Sequence, residues 1–155
     1  MAHHLAQINI GRLIAPIDDP KIAVFVAALD PINALADHAP GFIWRLQSAS
    51  GNATDIAYNE DPTMFMNMSV WNSLEALRAY VYRSDHIRLL RDRAKWFEKL
   101  DRPIYCLWWI PAGHIPTVAE GPPMKRSASE IDCWKTAGNF HGRPFLLLCI
   151  LVIAT

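Results

Sequence analysis

The sequence lacks the short motifs that identify many enzyme classes. It contains no glycine-rich phosphate-binding loop, no G-x-S-x-G nucleophile motif and no H-E-x-x-H zinc motif. Its three cysteines, Cys106, Cys133 and Cys149, form no C-x-x-C pair, which argues against a zinc knuckle or a redox motif. Nucleotide-dependent and zinc-hydrolase mechanisms therefore have no support, and we expect no metal site.

The sequence also lacks a net charge and a long apolar run. Fifteen basic residues balance fifteen acidic ones, so a broad electrostatic surface for nucleic acid is not expected. No window reaches the roughly 18 apolar residues that cross a bilayer, and the first residues do not resemble a secretory signal. We expect a cytoplasmic protein with neither nucleic-acid nor membrane partners.

What is present is enough apolar sequence to build a core: 52% of the 155 residues are hydrophobic and 19% are charged. Apolar and polar residues alternate over residues 5–10 and again over residues 64–71, which is typical of strands. Two further strands are predicted at residues 42–47 and 104–110, the last apolar on both faces. In the second strand, the alternation places Phe42 and Trp44 on one face and Arg45 on the other.

Helices are predicted between these strands. Residues 22–36 have helical periodicity, with Asp19 as N-cap and Pro20 at the first position. Pro31 lies inside this segment and predicts a kink or break near residue 30. A second helical block begins after Asn72, predicted as its N-cap, and ends before Pro103.

The order strand, helix, strand, strand, helices, strand is the ferredoxin-like β-α-β-β-α-β arrangement, an α+β fold. It predicts an antiparallel four-stranded sheet with helices on one face. The other face needs a cover, and the matching face of a second chain can supply it in a dimeric α+β barrel. We assign residues 1–120 to this domain and residues 121–155 to a divergent C-terminal tail, which is a buried strand, a swapped strand or a poorly ordered segment.

Several segments carry a family resemblance. They include residues 4–9 (HLAQIN), 40–46 (PGFIWRL), 67–71 (NMSVW) and 107–117 (LWWIPAGHIPT). Over about residues 3–120 the sequence resembles a bacterial family of domains of unknown function in the dimeric α+β barrel superfamily, which also holds antibiotic-biosynthesis-type monooxygenases. The resemblance implies a homodimer and a pocket between sheet and helices. If the protein is an enzyme, the resemblance also implies a cofactor-free oxygenation or isomerisation of an aromatic or polyketide-like substrate.

Two histidines are candidate catalytic residues. His114 lies in a proline-rich turn after the last strand, where an imidazole can act as a general base or hold the turn by hydrogen bonding. His86 lies near the start of a helix and faces inward if it shares the apolar stripe of Leu89 and Leu90. Some enzymes of the superfamily bind haem through a histidine between helices and sheet, so the resemblance makes His86 a candidate haem ligand.

The remaining candidates are pocket-lining residues. Asn67 can orient a substrate carbonyl, and Arg45 can either hold an anionic ligand or pair with a carboxylate. Aromatic side chains can form a pocket for a small apolar or aromatic ligand or simply pack in the core. The aromatic candidates are Trp44, Trp71, Trp109 and Tyr82.

Three functions follow from these residues. The first is a small-molecule-binding protein or enzyme, without a cofactor, of the monooxygenase or isomerase type. The second is a non-catalytic dimeric module that binds a ligand or a partner. The third is a haem-binding protein.

Overall fold

The fold is an antiparallel four-stranded sheet with helices on one face, seen in a computed structural model that describes residues 2–100 and 105–120. The strands lie in the order β2-β3-β1-β4. This is the order of a ferredoxin-like α+β fold, as the sequence predicts. The elements are β1 (His3–Arg12), α1 (Ala23–Asp37), β2 (Phe42–Arg45), β3 (Met64–Trp71), α2 (Leu74–Arg83), α3 (His86–Asp92) and β4 (Tyr105–Pro111).

The strand register divides the sheet into two faces. Leu5 of β1 lies opposite Trp71 of β3 and opposite Trp109 of β4, so these side chains share a face. We call it the helix face, because Leu5 and Trp71 cluster there with Leu77 of α2. Phe25 of α1 belongs to a neighbouring cluster at the end of the sheet.

The opposite face is also apolar. The alternate residues of β3 include Met64, Met66 and Met68, each no more than 5% exposed. Ile56 and Tyr58, from the segment between β2 and β3, pack against this cluster. The methionines are therefore core residues. A homodimer that joins two such faces stays a prediction, as does the assignment of the tail, which lies outside the described residues.

The second strand differs from its predicted alternation. Trp44 pairs with Val70 and Arg45 with Ser69, but the register shifts between Phe42 and Trp44. An irregularity of this kind places residues two apart on opposite faces. Phe42 therefore packs on the helix face with Trp71, while Trp44 packs against the opposite face.

The first helix matches the sequence-based prediction at its start and differs from it at Pro31. Asp19 caps a 3₁₀ turn, Pro20–Ile22, by accepting a hydrogen bond from the Lys21 backbone N–H at 2.8 Å. Helix α1 then continues through Pro31 to Asp37. The predicted break is therefore wrong, because proline removes a single backbone donor and both flanking turns stay helical, whereas the alternative of a kink near residue 30 stays a prediction.

The start of the second helix is shifted by one residue. Its N-cap is Ser73, whose hydroxyl accepts a hydrogen bond from the Ala76 backbone N–H at 3.2 Å. The prediction of Asn72 as N-cap is therefore wrong. In the part of the chain that the structure describes, no helix has the length and apolarity needed to span a membrane.

Candidate functional site

A cavity of about 440 Å³ lies between the helix face of the sheet and the helices. Side chains of β1, β2, β3, β4, all three α-helices and the segment after β2 line it. A cavity of this size can hold a small organic molecule. It is lined by five of the residues predicted for the site: Arg45, Asn67, Trp71, Tyr82 and His86.

A strip of hydrogen-bonded polar side chains crosses the sheet wall of the cavity. The Gln7 amide nitrogen donates to the Asn67 side-chain oxygen at 3.0 Å and to the Ser69 hydroxyl at 2.9 Å. The Trp71 indole N–H donates to the same Ser69 hydroxyl at 2.8 Å. Gln7 is 8% exposed and Ser69 is 9% exposed, so these bonds satisfy polar groups inside the apolar sheet.

The strip leaves hydrogen-bond donors available to a ligand. The Asn67 oxygen accepts from Gln7, and its NH₂ group donates to no described residue, so both of its hydrogens are available. Because Ser69 accepts from both Gln7 and Trp71, its own O–H is also free to donate. Two donors on one strand face suit the oxygen of a carbonyl group or of an enolate.

Gln7 is expected to be energetically coupled to Asn67. In Gln7→Leu, Asn67 and Ser69 lose a common donor, and we expect the free energy of unfolding to fall by about 2 kcal/mol. In the double variant Gln7→Leu/Asn67→Leu, both partners are apolar, so the loss should be smaller than the sum of the single losses by about 1 kcal/mol. Urea unfolding of the four proteins of the cycle measures this coupling.

The matched control is Gln47→Leu, at an exposed glutamine of the segment after β2. We expect it to change stability by less than about 0.5 kcal/mol. Strictly additive losses in the cycle would contradict the hydrogen-bonded strip.

A row of three rings, Trp71, Tyr80 and His86, forms another part of the cavity wall. The Tyr80 ring stacks on Trp71, with centroids 5.1 Å apart, and its other neighbour is His86 at 4.9 Å. The Tyr80 hydroxyl donates to the Ile32 backbone oxygen of α1 at 3.3 Å. Burial raises the pKa of Tyr80 far above its usual range, with the Arg45 charge acting in the opposite direction. Tyr80 therefore stays a neutral phenol that holds the two helices and the histidine in place.

His86 is half-buried and has an unused ring nitrogen. Its Nδ1 has almost no solvent-accessible surface and no hydrogen-bond partner among the described residues. Burial lowers the pKa of His86, although a hydrogen bond with the Val81 backbone acts in the opposite direction. The imidazole is thus neutral at neutral pH, the state in which it can accept a proton or ligate a metal.

Arg45 lines the cavity but is held by its own chain. Its guanidinium forms two hydrogen bonds with the Asp37 carboxylate, at 2.8 and 3.1 Å, and one with the Gly51 backbone oxygen at 2.7 Å. This matches the carboxylate-pairing alternative for Arg45. The residue ties the end of α1 to the segment after β2, and its charge is largely compensated.

The other predicted site residues lie outside the cavity. Trp44 packs on the opposite face of the sheet, and Trp109 packs with Leu5 and Trp71 beside the cavity without lining it. The His114 ring hydrogen-bonds the Glu120 carboxylate. This bond, followed by those from Thr117, holds the pKa of Glu120 below its usual range. His114 therefore fastens the turn after β4, and a role for it in chemistry stays a prediction.

Sequence reasoning missed Gln7 and did not assign roles to Ser69 and Tyr80. The available signal was the pairing of two alternating strands: Gln7 and Asn9 of β1 lie opposite Ser69 and Asn67 of β3. Four polar residues in cross-strand pairs on one face are unusual in a sheet covered on both sides. Among the described residues, no group of three or more histidine, cysteine, aspartate or glutamate side chains could hold a metal ion.

Comparison with solved structures finds several proteins of low sequence identity. SnoaB, a cofactor-independent oxygenase from Streptomyces nogalater, is 13% identical; the match covers 74% of this chain and 97% of SnoaB, with a TM-score of 0.46. A dabb family protein with a ferredoxin-like fold from Mesorhizobium loti is 15% identical, with 72% and 99% covered and a TM-score of 0.44. A Pseudomonas aeruginosa protein is also 15% identical, with 71% and 94% covered and a TM-score of 0.47.

Comparison with curated proteins finds no match. One family model matches the sequence, that of the domain of unknown function DUF3291, over residues 4–127. The match begins and ends close to the limits of the resemblance in the sequence, and it runs a little beyond residue 120. The chain belongs to the DUF3291 family.

Proposed function

We propose that the cavity binds a planar, largely apolar carbonyl compound and that His86 removes a proton from it without a cofactor. One observation carries the proposal. The cavity is lined by His86, whose imidazole has a nitrogen with no hydrogen-bond partner among the described residues, and by Asn67 and Ser69, which can each donate a hydrogen bond. A base and a site for the developing negative charge are what proton abstraction next to a carbonyl requires.

The proposed step is a single proton transfer that converts the carbonyl compound into its enolate. A C–H bond next to the carbonyl group breaks, and its proton moves to the neutral imidazole of His86. The electron pair moves to the carbonyl oxygen, which becomes an enolate oxygen. Asn67 and Ser69 donate hydrogen bonds to this oxygen, and these bonds strengthen as negative charge develops on it. The apolar walls, including Phe25 and Leu29, exclude water and strengthen the same interactions.

The enolate can react further in two ways. If the proton returns to a different carbon, the reaction is an isomerisation. If the enolate carbon forms a bond to dioxygen, the resulting peroxide takes the proton back from His86. Loss of water from that hydroperoxide leaves a new carbonyl group, and the reaction is a monooxygenation with dioxygen as oxidant. Both reactions begin with the same proton transfer, so that step is the one to test.

The test measures exchange of the acidic C1 protons of 2-tetralone, a compact bicyclic ketone, with deuterium in buffered D₂O by ¹H NMR. We expect the protein to accelerate this exchange in a saturable manner. Ala28→Phe places a ring in the cavity and should abolish the acceleration. The control Ala27→Phe adds the same ring at the exposed neighbouring position of α1, outside the cavity lining, and should retain it.

Other outcomes favour the alternative functions. Saturable binding of 2-tetralone without accelerated exchange would favour a non-catalytic ligand-binding module. Haem has one feature in its favour, the unpartnered Nδ1 of His86. A Soret band on addition of haemin, lost in His86→Ala, would favour haem binding. Equal exchange rates for Ala28→Phe and Ala27→Phe would contradict the proposed location of the site.

We retain the homodimer and the cytoplasmic location as parts of the proposal. The apolar face opposite the helices, with its methionine-rich strand β3, suits the face-to-face pairing of a dimeric barrel. In native mass spectrometry a dimer that carries extra mass would also deliver a ligand for identification.

A further inference from the structure

The charged residues of the cavity are mostly cationic. Arg45, Arg78, Arg93 and Lys99 line it together with a single acidic residue, Glu98. Two of these charges already form ion pairs within the protein. Arg45 is paired with Asp37, and Glu98 lies 3.9 Å from Arg12, outside the cavity lining.

Arg78 is different, because it forms no ion pair with a described residue. It lies on α2 at the solvent-exposed edge of the cavity. One turn of α2 later, Tyr82 lines the same edge of the cavity. A guanidinium without an ion-pair partner at the edge of an apolar cavity can attract and hold an anionic group.

We infer that the ligand of this cavity is an organic anion: an apolar ring system whose carboxylate or other acidic group binds Arg78. The inference rests on the proposed function and names its substrate class. The ring system lies between the apolar walls, the carbonyl oxygen meets the donors of Asn67 and Ser69, and the acidic group stays at the hydrated edge. An anionic group in that position needs only partial desolvation, which keeps the cost of binding the charge low.

The test compares two ligands of nearly equal shape, 2-naphthoate and 2-naphthamide, by isothermal titration calorimetry. We expect the wild-type protein to bind the anion about tenfold more tightly than the neutral amide. Arg78→Gln should reduce the affinity for 2-naphthoate about fivefold and leave that for 2-naphthamide unchanged, because an exposed charge pair contributes modestly. The preference for the anion should also decrease as salt is added.

The control is Arg83→Gln, which removes an exposed arginine from the same helix outside the cavity lining. It should retain the preference for 2-naphthoate. Equal affinities of the wild type for the two ligands, or an undiminished preference for 2-naphthoate in Arg78→Gln, would overturn the inference. If 2-naphthamide binds as tightly as 2-naphthoate and 2-tetralone exchange is accelerated, the proposed function stands while the anionic ligand is wrong. If neither 2-naphthoate nor 2-naphthamide binds, the inference of an anionic ligand is wrong. If 2-tetralone exchange is not accelerated either, the proposed function is rejected as well.

Discussion

The variant His86→Gln is expected to lose the accelerated proton exchange of 2-tetralone by a factor of about 100, at the lower end of what a positioned base contributes. Glutamine keeps a polar side chain of similar reach beside Tyr80, so the helix and the cavity should survive. It cannot accept and return a proton at neutral pH. Binding of 2-tetralone should therefore remain, and the loss should appear in the rate at saturation.

The pH dependence of the wild-type rate provides a second readout. Only the neutral imidazole is a base, so the rate must fall as the pH decreases through the pKa of His86. Burial lowers that pKa, and the backbone of Val81 offsets the shift only in part. The rate should therefore stay level down to a pH below the usual value for histidine, about 6.5, before it falls. His86→Gln should show no such inflection.

A matched control is His38→Gln. His38 is exposed at the end of α1, where its Nδ1 hydrogen-bonds the Ala34 backbone oxygen at 2.7 Å, and it does not line the cavity. We expect its exchange rate and pH profile to equal those of the wild type. If His38→Gln and His86→Gln behave alike, or if both retain the full rate, His86 is not the base.

The elements of this fold could be predicted from the sequence because local patterns dominate them. The alternation of Met66 and Met68 with Asn67 and Ser69 survives in the structure, and the methionines and the polar pair do lie on opposite faces of the sheet. The same argument failed for β2, where Trp44 is on the face opposite to the one that alternation from Phe42 predicts. A register irregularity depends on the neighbouring strand, and a single-strand pattern does not contain that information.

The cavity could be predicted only in part, for a related reason. Asn67 and His86 stand out because a polar residue in an apolar strand or helix stripe needs a partner. The sequence does not single out Gln7, because the alternation in β1 predicts a half-buried strand, and a polar residue on the exposed face of such a strand needs no partner. Only the pairing of β1 with β3 brings Gln7 to Ser69 and makes it the donor that orients the strip.

Gly41→Ala is expected to be the most destabilising single-methyl substitution among the described glycines. Gly41 has a φ of +83°, and an added Cβ would overlap Oδ1 of Asn72 and lie 2.6 Å from the Cβ of Ala76. Its carbonyl oxygen also accepts a 2.8 Å hydrogen bond from the Asn72 backbone N–H, so this turn cannot move without loosening the start of α2.

The unfavourable backbone conformation costs about 1 kcal/mol and the overlap about 2 kcal/mol more. A loss of about 3 kcal/mol should lower the melting temperature by roughly 10 °C. Gly51→Ala separates the two causes, because Gly51 has the same φ of +83° but nothing within 4 Å of an added Cβ. It should cost only about 1 kcal/mol, measured for both variants by urea unfolding. Equal losses of stability in the two variants would mean that backbone conformation alone requires glycine at residue 41. The turn before β2 would then not be rigidly packed against the start of α2.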